Sequence, residues 1–478
     1  MNGNKCEKGS SSSLAVKAGV WYTICNFLFK GMAFITTPIF TRLLTKAEVG
    51  SFSNMASWIS ILTVITAFDL QTSIIRSKLE HEGDMDSYIF SILSFTSFTT
   101  AVVYLIVLVF PEESMNLFQM DMKYIHLMFL YLFVSPAYQM FITKQRAYYK
   151  YKMFVLMTGI SIIVSTIFSL GMVLIVNDKL LGRYFGYYIP QIIMALLIYI
   201  YIVLKGKKVK IKYWKYATKI CLPLVPHVLS LYLLSSSDKI IITNLCGAEY
   251  TALYSIAYSC YHIVTILFDS MNKAWAPWLL ESLHYEKYDE IKKLSKWYIS
   301  IFLALVIGVL LCVPEIIMIL GGPQYKEAMY CLPALISSCV FQFIYTMYVN
   351  IEFYEKKTIG VAAVTMVATL INIVLNLILI PLNLEKGYII AAYTTLIGYI
   401  ILFIMHYVLV KKMNMAFVYD IKFIIGGFLV TLIVSTVSNI MYSMNFLRYM
   451  IIIVYCIVMI YVVYQNKSLI LKFLGKKE

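Results

Sequence analysis

The chain has 478 residues, 61% of them hydrophobic and only 14% charged, and a mean hydropathy of +0.79. A soluble globular chain averages about 45–50% apolar and about 25% charged residues, so a single large soluble core is excluded. The net charge of +15 would suit a nucleic-acid partner, but its distribution along the chain argues for a membrane topology.

The apolar residues fall in runs of about 20, the length that crosses about 30 Å of hydrocarbon. About fourteen such runs are centred on Phe27, Ile61, Val102, Tyr131, Val164, Leu196, Leu231, Tyr258, Leu305, Val340, Leu370, Leu396, Val430 and Val454. Strands of a β-barrel would alternate apolar and polar residues over about ten positions, and these runs do not. The expected fold class is an all-α polytopic membrane protein with about 14 transmembrane helices.

Residues 1–13, with their serine run, read as a cytoplasmic tail. The first run follows Lys5, Lys8 and Lys17 as a signal sequence would, yet it is long, contains Lys30 and Pro38 and lacks a small-x-small cleavage site, so it is predicted to be retained. Lys30 sits mid-run in Phe27-Leu-Phe-Lys30-Gly31-Met. A charge at a span's centre costs roughly 2.5–3.5 kcal/mol on insertion scales, which points Lys30 at a cavity. Thr45-Lys-Ala-Glu48 reads as a capping box opening the second run.

That second run ends Val64-Ile-Thr-Ala-Phe68-Asp69. The eighth ends Val264-Thr-Ile-Leu-Phe268-Asp269, and each begins with an Ala-Glu pair, Ala47-Glu48 and Ala248-Glu249. The repeat points to two homologous membrane halves, an arrangement common in secondary transporters. Arg76 follows Asp69 by two turns and Lys273 follows Asp269 by one, so each acid has a base on its own face. These acids read either as interfacial ion pairs or as a cytoplasmic gate closed when the halves meet.

With a cytoplasmic N-terminus and every run crossing, about 30 of the 40 Lys+Arg lie inside and about eight outside. The outer links carry Lys123, Lys179 and Arg183, Lys326, Lys386 and Arg448. The inner links carry Lys144, Arg146, Lys150 and Lys152, then a dense stretch at 205–219. There the lysines alternate with Tyr213, Trp214 and Tyr216, a composition suited to anionic headgroups. The basicity is topological, membrane lipids are its partner, and no nucleic acid is implied. The same stretch reads as the hinge between halves.

The seventh run opens Cys221-Leu-Pro223-Leu-Val-Pro226-His227, whose prolines remove ladder donors and loosen the helix. Asp238-Lys239 follows Ser235-Ser-Ser in that run. Adjacent helical residues face different neighbours, so Lys239 is a candidate for a cavity and Asp238 for a gate or an ion-coupling site. Residues 278–297 read as one amphipathic helix on the inner membrane surface. Pro277 and Pro314 read as helix ends, and Glu352, beside Glu355, Lys356 and Lys357, as a residue at the membrane surface.

Nine cysteines occur singly, without metal-ligand spacing, and read as buried free thiols. His227 and His262 read as satisfied buried imidazoles. There is no GxxxxGK[ST] loop, HExxH or GxSxG, so neither an enzyme nor a metal or other cofactor is expected. A membrane glycan polymerase or ligase is the alternative in another class, although the sizeable outer loop usual in such enzymes is absent.

Three segments carry a resemblance: Thr36-Thr-Pro38-Ile-Phe-Thr-Arg42-Leu-Leu-Thr-Lys-Ala-Glu48-Val-Gly50, then Leu222-Pro223 through Asp238-Lys239-Ile-Ile-Ile with Tyr254-Ser255-Ile-Ala-Tyr, then Gly321-Gly322-Pro-Gln-Tyr325-Lys-Glu-Ala328. In order and spacing the chain resembles bacterial polysaccharide repeat-unit flippases, the oligosaccharide-flippase branch of the multidrug/oligosaccharidyl-lipid/polysaccharide exporter superfamily. The resemblance implies two six-helix repeats forming two lobes around a central cavity, plus two C-terminal helices: 1–210, 211–415 and 416–478. It implies an undecaprenyl-diphosphate-linked oligosaccharide as cargo, moved from inner to outer leaflet by alternating access, with glycan polymerase machinery as a partner. Cations would neutralise the diphosphate. Arg42 and Lys239 are candidates by motif position; Lys30, Arg76 and Lys273 are candidates by burial. A drug/cation antiporter and a peptidoglycan-precursor flippase are the rivals within the fold.

The alternation of basic residues places both termini and the 205–219 and 278–297 segments in the cytoplasm. Single cysteines introduced at Lys210 or Glu286 should therefore resist a membrane-impermeant reagent added to whole cells. Strong labelling at either position overturns this topology.

Overall fold

A computed structural model of the chain describes Trp21, residues 31–32 and residues 34–465. The candidate Lys30 and the serine-rich tail lie outside the described residues. Among those described, the regular elements are all helical, and thirteen helices are long and apolar enough to cross a membrane. They coincide with the second to fourteenth apolar runs.

The described residues fall into two compact units, one within Met1–Ser259 and Ile359–Thr394, the other within Cys260–Thr358 and Thr395–Glu478. The first unit contains α1 (34–43), α2 (Lys46–Ala67), α3 (Ser73–Glu80), α4 (Met85–Val109), α5 (Pro111–Phe118), α6 (Met122–Ala147), α7 (Tyr151–Ile175), α8 (Lys179–Gly206), α9 (Ile211–Cys221) and α10 (Val225–Leu245). It also takes the start of α11 (Ala248–His284), nearly all of α15 (Thr358–Leu379) and the start of α16 (Gly387–Lys412). The second unit takes the remainder of α11 and α16 with α12 (Tyr288–Leu311), α13 (Val313–Leu320), α14 (Leu332–Tyr354), α17 (Ile421–Met441) and α18 (Asn445–Gln465).

Local signals set the helix ends. The capping box is formed: the Thr45 N–H donates to Glu48 Oε2 at 2.7 Å and the Glu48 N–H to Thr45 Oγ1 at 3.3 Å. α2 stops at Ala67 because Phe68 and Asp69 both turn left-handed, at φ 50° and 52°. Hydroxyls inside the spans bond their own helix, as Thr63 does to the Ile59 carbonyl (2.7 Å) and Thr66 to that of Leu62 (2.8 Å). Such pairing is what hydrocarbon demands of a polar group.

The first unit packs around Met55 and Leu62 of α2, Ile125, Phe129 and Leu132 of α6, and Tyr184 and Tyr188 of α8. The second is built on α14, whose span is 83% buried against 6% for α18. There Phe343 stacks on Phe302 at 4.2 Å and Phe341 on Phe428 at 4.0 Å. The outward faces are apolar: on α7, Ile167 and Ile175 are 65% and 81% exposed. Such a surface suits lipid.

Several expectations need correction. Residues 278–297 are two helices, because α11 ends at His284 and α12 starts at Tyr288. Between them Glu286 turns left-handed at φ 53°, and the Lys287 N–H reaches back to the Ser282 carbonyl at 2.9 Å. Each half keeps an apolar face, so the pair imitates one amphipathic helix in sequence. Pro277 lies inside α11, whereas Pro226 and Pro314 occupy first turns, where a missing N–H costs nothing. Arg183 belongs to the second turn of α8 because the Asp178 carboxylate caps that helix at the Leu181 N–H (2.9 Å), upstream of the expected link. Glu352 is fully buried, since α14 continues to Tyr354 and the carboxylate meets His406 of α16. His262 is exposed, and His227 is only half-buried.

The basic stretch folds partly as α9, which buries Tyr213, Ala217 and Cys221 and leaves Lys212, Lys215 and Lys219 exposed. Lys210 bonds Asp84 at 2.5 Å, Tyr213 bonds it too, and the Trp214 indole donates to the Ser91 carbonyl at 2.7 Å. Hydrogen bonds from Lys210 and then Tyr213 hold the Asp84 carboxyl well below the ordinary carboxylate range.

Gly50 of α2 meets the first residue of α11. A Cβ at position 50 would lie 1.7 Å from the Ala248 carbonyl oxygen, so backbone has to move to admit any side chain. Gly50→Ala is expected to cost about 1–3 kcal/mol, the scale of overpacking, read as a lower Tm of the purified protein. An unchanged Tm would show that this contact yields freely.

Candidate functional site

The first unit contains a cavity of about 310 Å³ lined from α1, α2, α7, α8 and α11. Its polar wall carries Thr36, Thr37, Ser53, Thr166, Ser255 and Ser259, and its apolar wall includes Phe40, Phe52 and the ring of Tyr187. Two of the segments that carry the family resemblance thus supply Thr36, Thr37 and Ser255 of this wall. Among the described residues, the Ser255 Oγ has no hydrogen-bond partner.

Among the described residues, one cation lines this cavity, Arg183 of α8. Small residues bring it there. A Cβ on Gly182 would sit 2.8 Å from the Met172 carbonyl oxygen and one on Gly186 2.6 Å from the Ser169 Cα, so this small-xxx-small pair lets α7 and α8 approach closely. The approach sets Ser169 Oγ 2.8 Å from Arg183 Nη1. The guanidinium then lies over Phe40 at 3.5 Å and Phe52 at 4.0 Å, with Tyr187 at 5.3 Å. Aromatic faces offset part of its desolvation.

A guanidinium has five N–H donors and no acceptor. Among the described residues, Ser169 is the acceptor it reaches and no carboxylate pairs with it. The free donors form a planar fork suited to a carboxylate or phosphate, and the surrounding hydroxyls suit a polyol. The sequence reading missed Arg183 by assigning it to an outer link. The N-cap signal Asp178-Lys179 was the clue, since it starts the helix four residues earlier.

Of the candidates drawn from sequence, Arg42 is nearest in the chain to the cavity, following Thr41 of its wall. It is exposed, with its guanidinium on the Pro38 carbonyl at 2.6 Å. Lys239 of α10 is half-buried, its ammonium 4.7 Å from the centre of the Tyr258 ring. Arg76 is exposed on α3 and bonds Glu80 at 3.1 Å; it does not meet Asp69, which accepts from the side chains of Gln71 and Thr72. Lys273 is exposed and Asp269 half-buried, both on the part of α11 within the second unit.

Asp238 is 0% exposed, at the centre of a polar knot. It accepts from Tyr254 of α11 at 2.5 Å and from the Asn376 amide of α15 at 2.6 Å, while Thr394 of α16 donates to the Asn376 carbonyl oxygen. A second tie, from Thr369 to the Ser230 carbonyl at 3.1 Å, joins α15 to α10.

The family described as "Polysaccharide biosynthesis protein" matches residues 15–283, which include every residue lining the cavity. A relative from Haemophilus influenzae, "Lsg locus putative protein 1", is 26% identical over 175 residues, 35% of this chain and 43% of that protein, so the match spans less than half of the relative's length. Among solved structures, that of the lipid II flippase MurJ in an inward closed conformation is similar over 94% of this chain and all of that one, with a TM-score of 0.72 at 15% identity. An inward-facing multidrug-resistance MATE family transporter of the MOP superfamily is similar over 82% of this chain and 95% of its own, with a TM-score of 0.53 at 12% identity. At these identities the likeness is one of fold.

Removing the Asp238 carboxylate strands the Tyr254 hydroxyl and the Asn376 amide. Asp238→Ala should lower stability by about 1–3 kcal/mol for each stranded group, with Asp238→Asn intermediate, read as Tm in detergent. Equal Tm values for both variants and wild type would show that the knot carries no stability.

Proposed function

Since the chain belongs to the polysaccharide biosynthesis protein family, we propose that it is a flippase for a polyprenyl-diphosphate-linked oligosaccharide, carried from the inner to the outer leaflet of the bacterial inner membrane for surface polysaccharide assembly. The observation that carries this reading is Arg183, a cation with unused donors in a hydroxyl- and aromatic-lined cavity. A diphosphate-sugar headgroup cannot cross hydrocarbon unaided, because buried ions and unpaired hydroxyls are costly. A guanidinium takes the diphosphate through two parallel hydrogen bonds, hydroxyls take the sugar, and the polyprenyl tail stays in lipid.

The proposed cycle alternates access between two lobes, spans one to six and spans seven to twelve, with both termini cytoplasmic. Arg42 and Lys239 are proposed as auxiliary cations, Asp238 as an ion-coupling group, and glycan polymerase machinery as the partner that receives the cargo. A second reading, a peptidoglycan-precursor flippase, draws on the likeness to MurJ; its cargo too is a lipid-linked saccharide.

Depletion of the protein should trap its lipid-linked saccharide in the inner leaflet, and the sugar that accumulates separates the two readings. Arg183→Ala should lower transport about 10- to 100-fold, the worth of a charged hydrogen bond of about 1.5–3 kcal/mol, at normal protein abundance. Arg183→Lys should retain part, because it keeps charge but loses the fork. Wild-type transport by Arg183→Ala would remove this residue from the site, and no trapped saccharide on depletion would overturn the flippase reading.

A further inference from the structure

The second unit holds an ionisable pair that the cavity does not use. Glu352 of α14 and His406 of α16 are both 0% exposed, with His406 Nδ1 2.7 Å from Glu352 Oε1. Among the described residues, the other two polar atoms, Glu352 Oε2 and His406 Nε2, have no hydrogen-bond partner. A structural clamp would be expected to satisfy its buried atoms. This pair satisfies half of them.

The pair is sealed on one side and approached on another. Between Leu332 and Glu352 the residues of α14 not fully buried are Gln342, Tyr345 and Thr346. Their spacing, i, i+3 and i+4, places them on one face, so α14 has a single polar window. Tyr345 links that window to the pair, its ring stacked on His406 at 5.3 Å and 12°. Polar groups continue around it. Tyr261 donates to the Gln342 carbonyl oxygen at 2.8 Å and lies 3.4 Å from the Tyr399 hydroxyl, and Tyr399 stacks on Tyr345 at 6.2 Å. Asn350 donates to Asn272 at 3.0 Å.

We propose that Glu352 and His406 form an exchangeable proton-binding site, reached through the Gln342–Tyr345–Thr346 window, which couples transport to the proton gradient. The coupling role rests on the flippase reading; the proton site does not. The bookkeeping is simple. With one proton between them the two groups are neutral overall, as imidazolium with carboxylate or as imidazole with carboxylic acid. Losing it leaves one uncompensated negative charge in an apolar interior, which is costly. The proton therefore leaves only when the site opens to water, and its affinity differs between the open and closed forms. A ligand with different affinities for two states shifts their balance.

Other titratable groups among the described residues lie on the helices packed around the pair. On α14 and α16, Tyr348 packs against Tyr407 at 5.8 Å and against Tyr419, which precedes α17, at 5.4 Å. α11 brings Asp269, whose charge acts on Tyr345, and one turn later the exposed Lys273. α12 brings Tyr298, 4.8 Å from Phe343, and α17 brings Lys422, exposed at its start. Asp269 is half-buried.

The test titrates the full chain in lipid nanodiscs. Wild type should take up one proton more than Glu352→Gln and than His406→Gln across about pH 5 to 8, where imidazole groups titrate. Infrared spectra of protein carrying carbon-13-labelled glutamate should show the matching carboxyl band in unmutated protein, a readout that needs no variant to fold. Titration curves identical in wild type and both variants, with no pH-dependent carboxyl band, overturn the proton site. In proteoliposomes containing a lipid-linked saccharide, an imposed pH gradient should raise the wild-type rate, and Glu352→Gln should lose that stimulation. An equal response in Glu352→Gln overturns the coupling. Wild type that moves no saccharide under any gradient overturns the transport reading instead, while the titration still decides the proton site.

Discussion

Hydrocarbon offers no hydrogen bonds, so each polar group that the chain buries must find its partner within the protein. Most of the structure obeys this cheaply. Serine and threonine hydroxyls turn back onto carbonyls one turn earlier, as Thr63, Thr66 and Thr365 do. Larger groups need partners from other helices, and the places where they find them hold the first unit together. The Asp238 carboxylate gathers Tyr254 and Asn376 from two further helices, and Asn376 in turn accepts from Thr394 of a third. Neighbours so far apart in sequence cohere because the alternative is a bare carboxylate in an apolar interior.

The same constraint makes exceptions informative. Among the described residues, Arg183 is held by aromatic faces and one hydroxyl, with most of its donors uncommitted. Glu352 and His406 satisfy each other at one atom apiece and, among the described residues, leave the second atom of each without a partner. A protein that needed only stability would replace such groups with apolar ones at little loss. Their presence in two separate units is what the two proposals rest on, a fork of donors in one and a buried acid–imidazole pair in the other.

What the sequence revealed follows from what is local. Span positions were legible because hydropathy and run length are properties of contiguous residues. So was the capping box at Thr45–Glu48, whose partners are three residues apart. Asp238 stood out as a charge inside an apolar run, but its partners at 254 and 376 did not. Arg183 was misplaced by one helix boundary, which moved it from a link to the cavity wall. Glu352 was misread because its neighbours Glu355, Lys356 and Lys357 look like a membrane surface, and nothing near it announces a histidine 54 residues onward. The 278–297 stretch failed for the converse reason: two helix ends with a tight turn between them keep one apolar periodicity.

The internal repeat shows where symmetry of sequence stops being symmetry of structure. Phe68-Asp69 and Phe268-Asp269 match in letters, and each follows an Ala-Glu pair at a spacing that differs by one residue between the copies. Yet Phe68 and Asp69 both turn left-handed and end α2, whereas α11 continues through Asp269 as a single 37-residue helix. Asp69 consequently bonds to Gln71 and Thr72 of its own turn, and Asp269 stays on a helix that also carries Asn272, the partner of Asn350. α11 therefore supplies Ser255 and Ser259 to the cavity wall from its first turns, and Asp269 and Asn272 to the polar track near the Glu352–His406 pair from later ones.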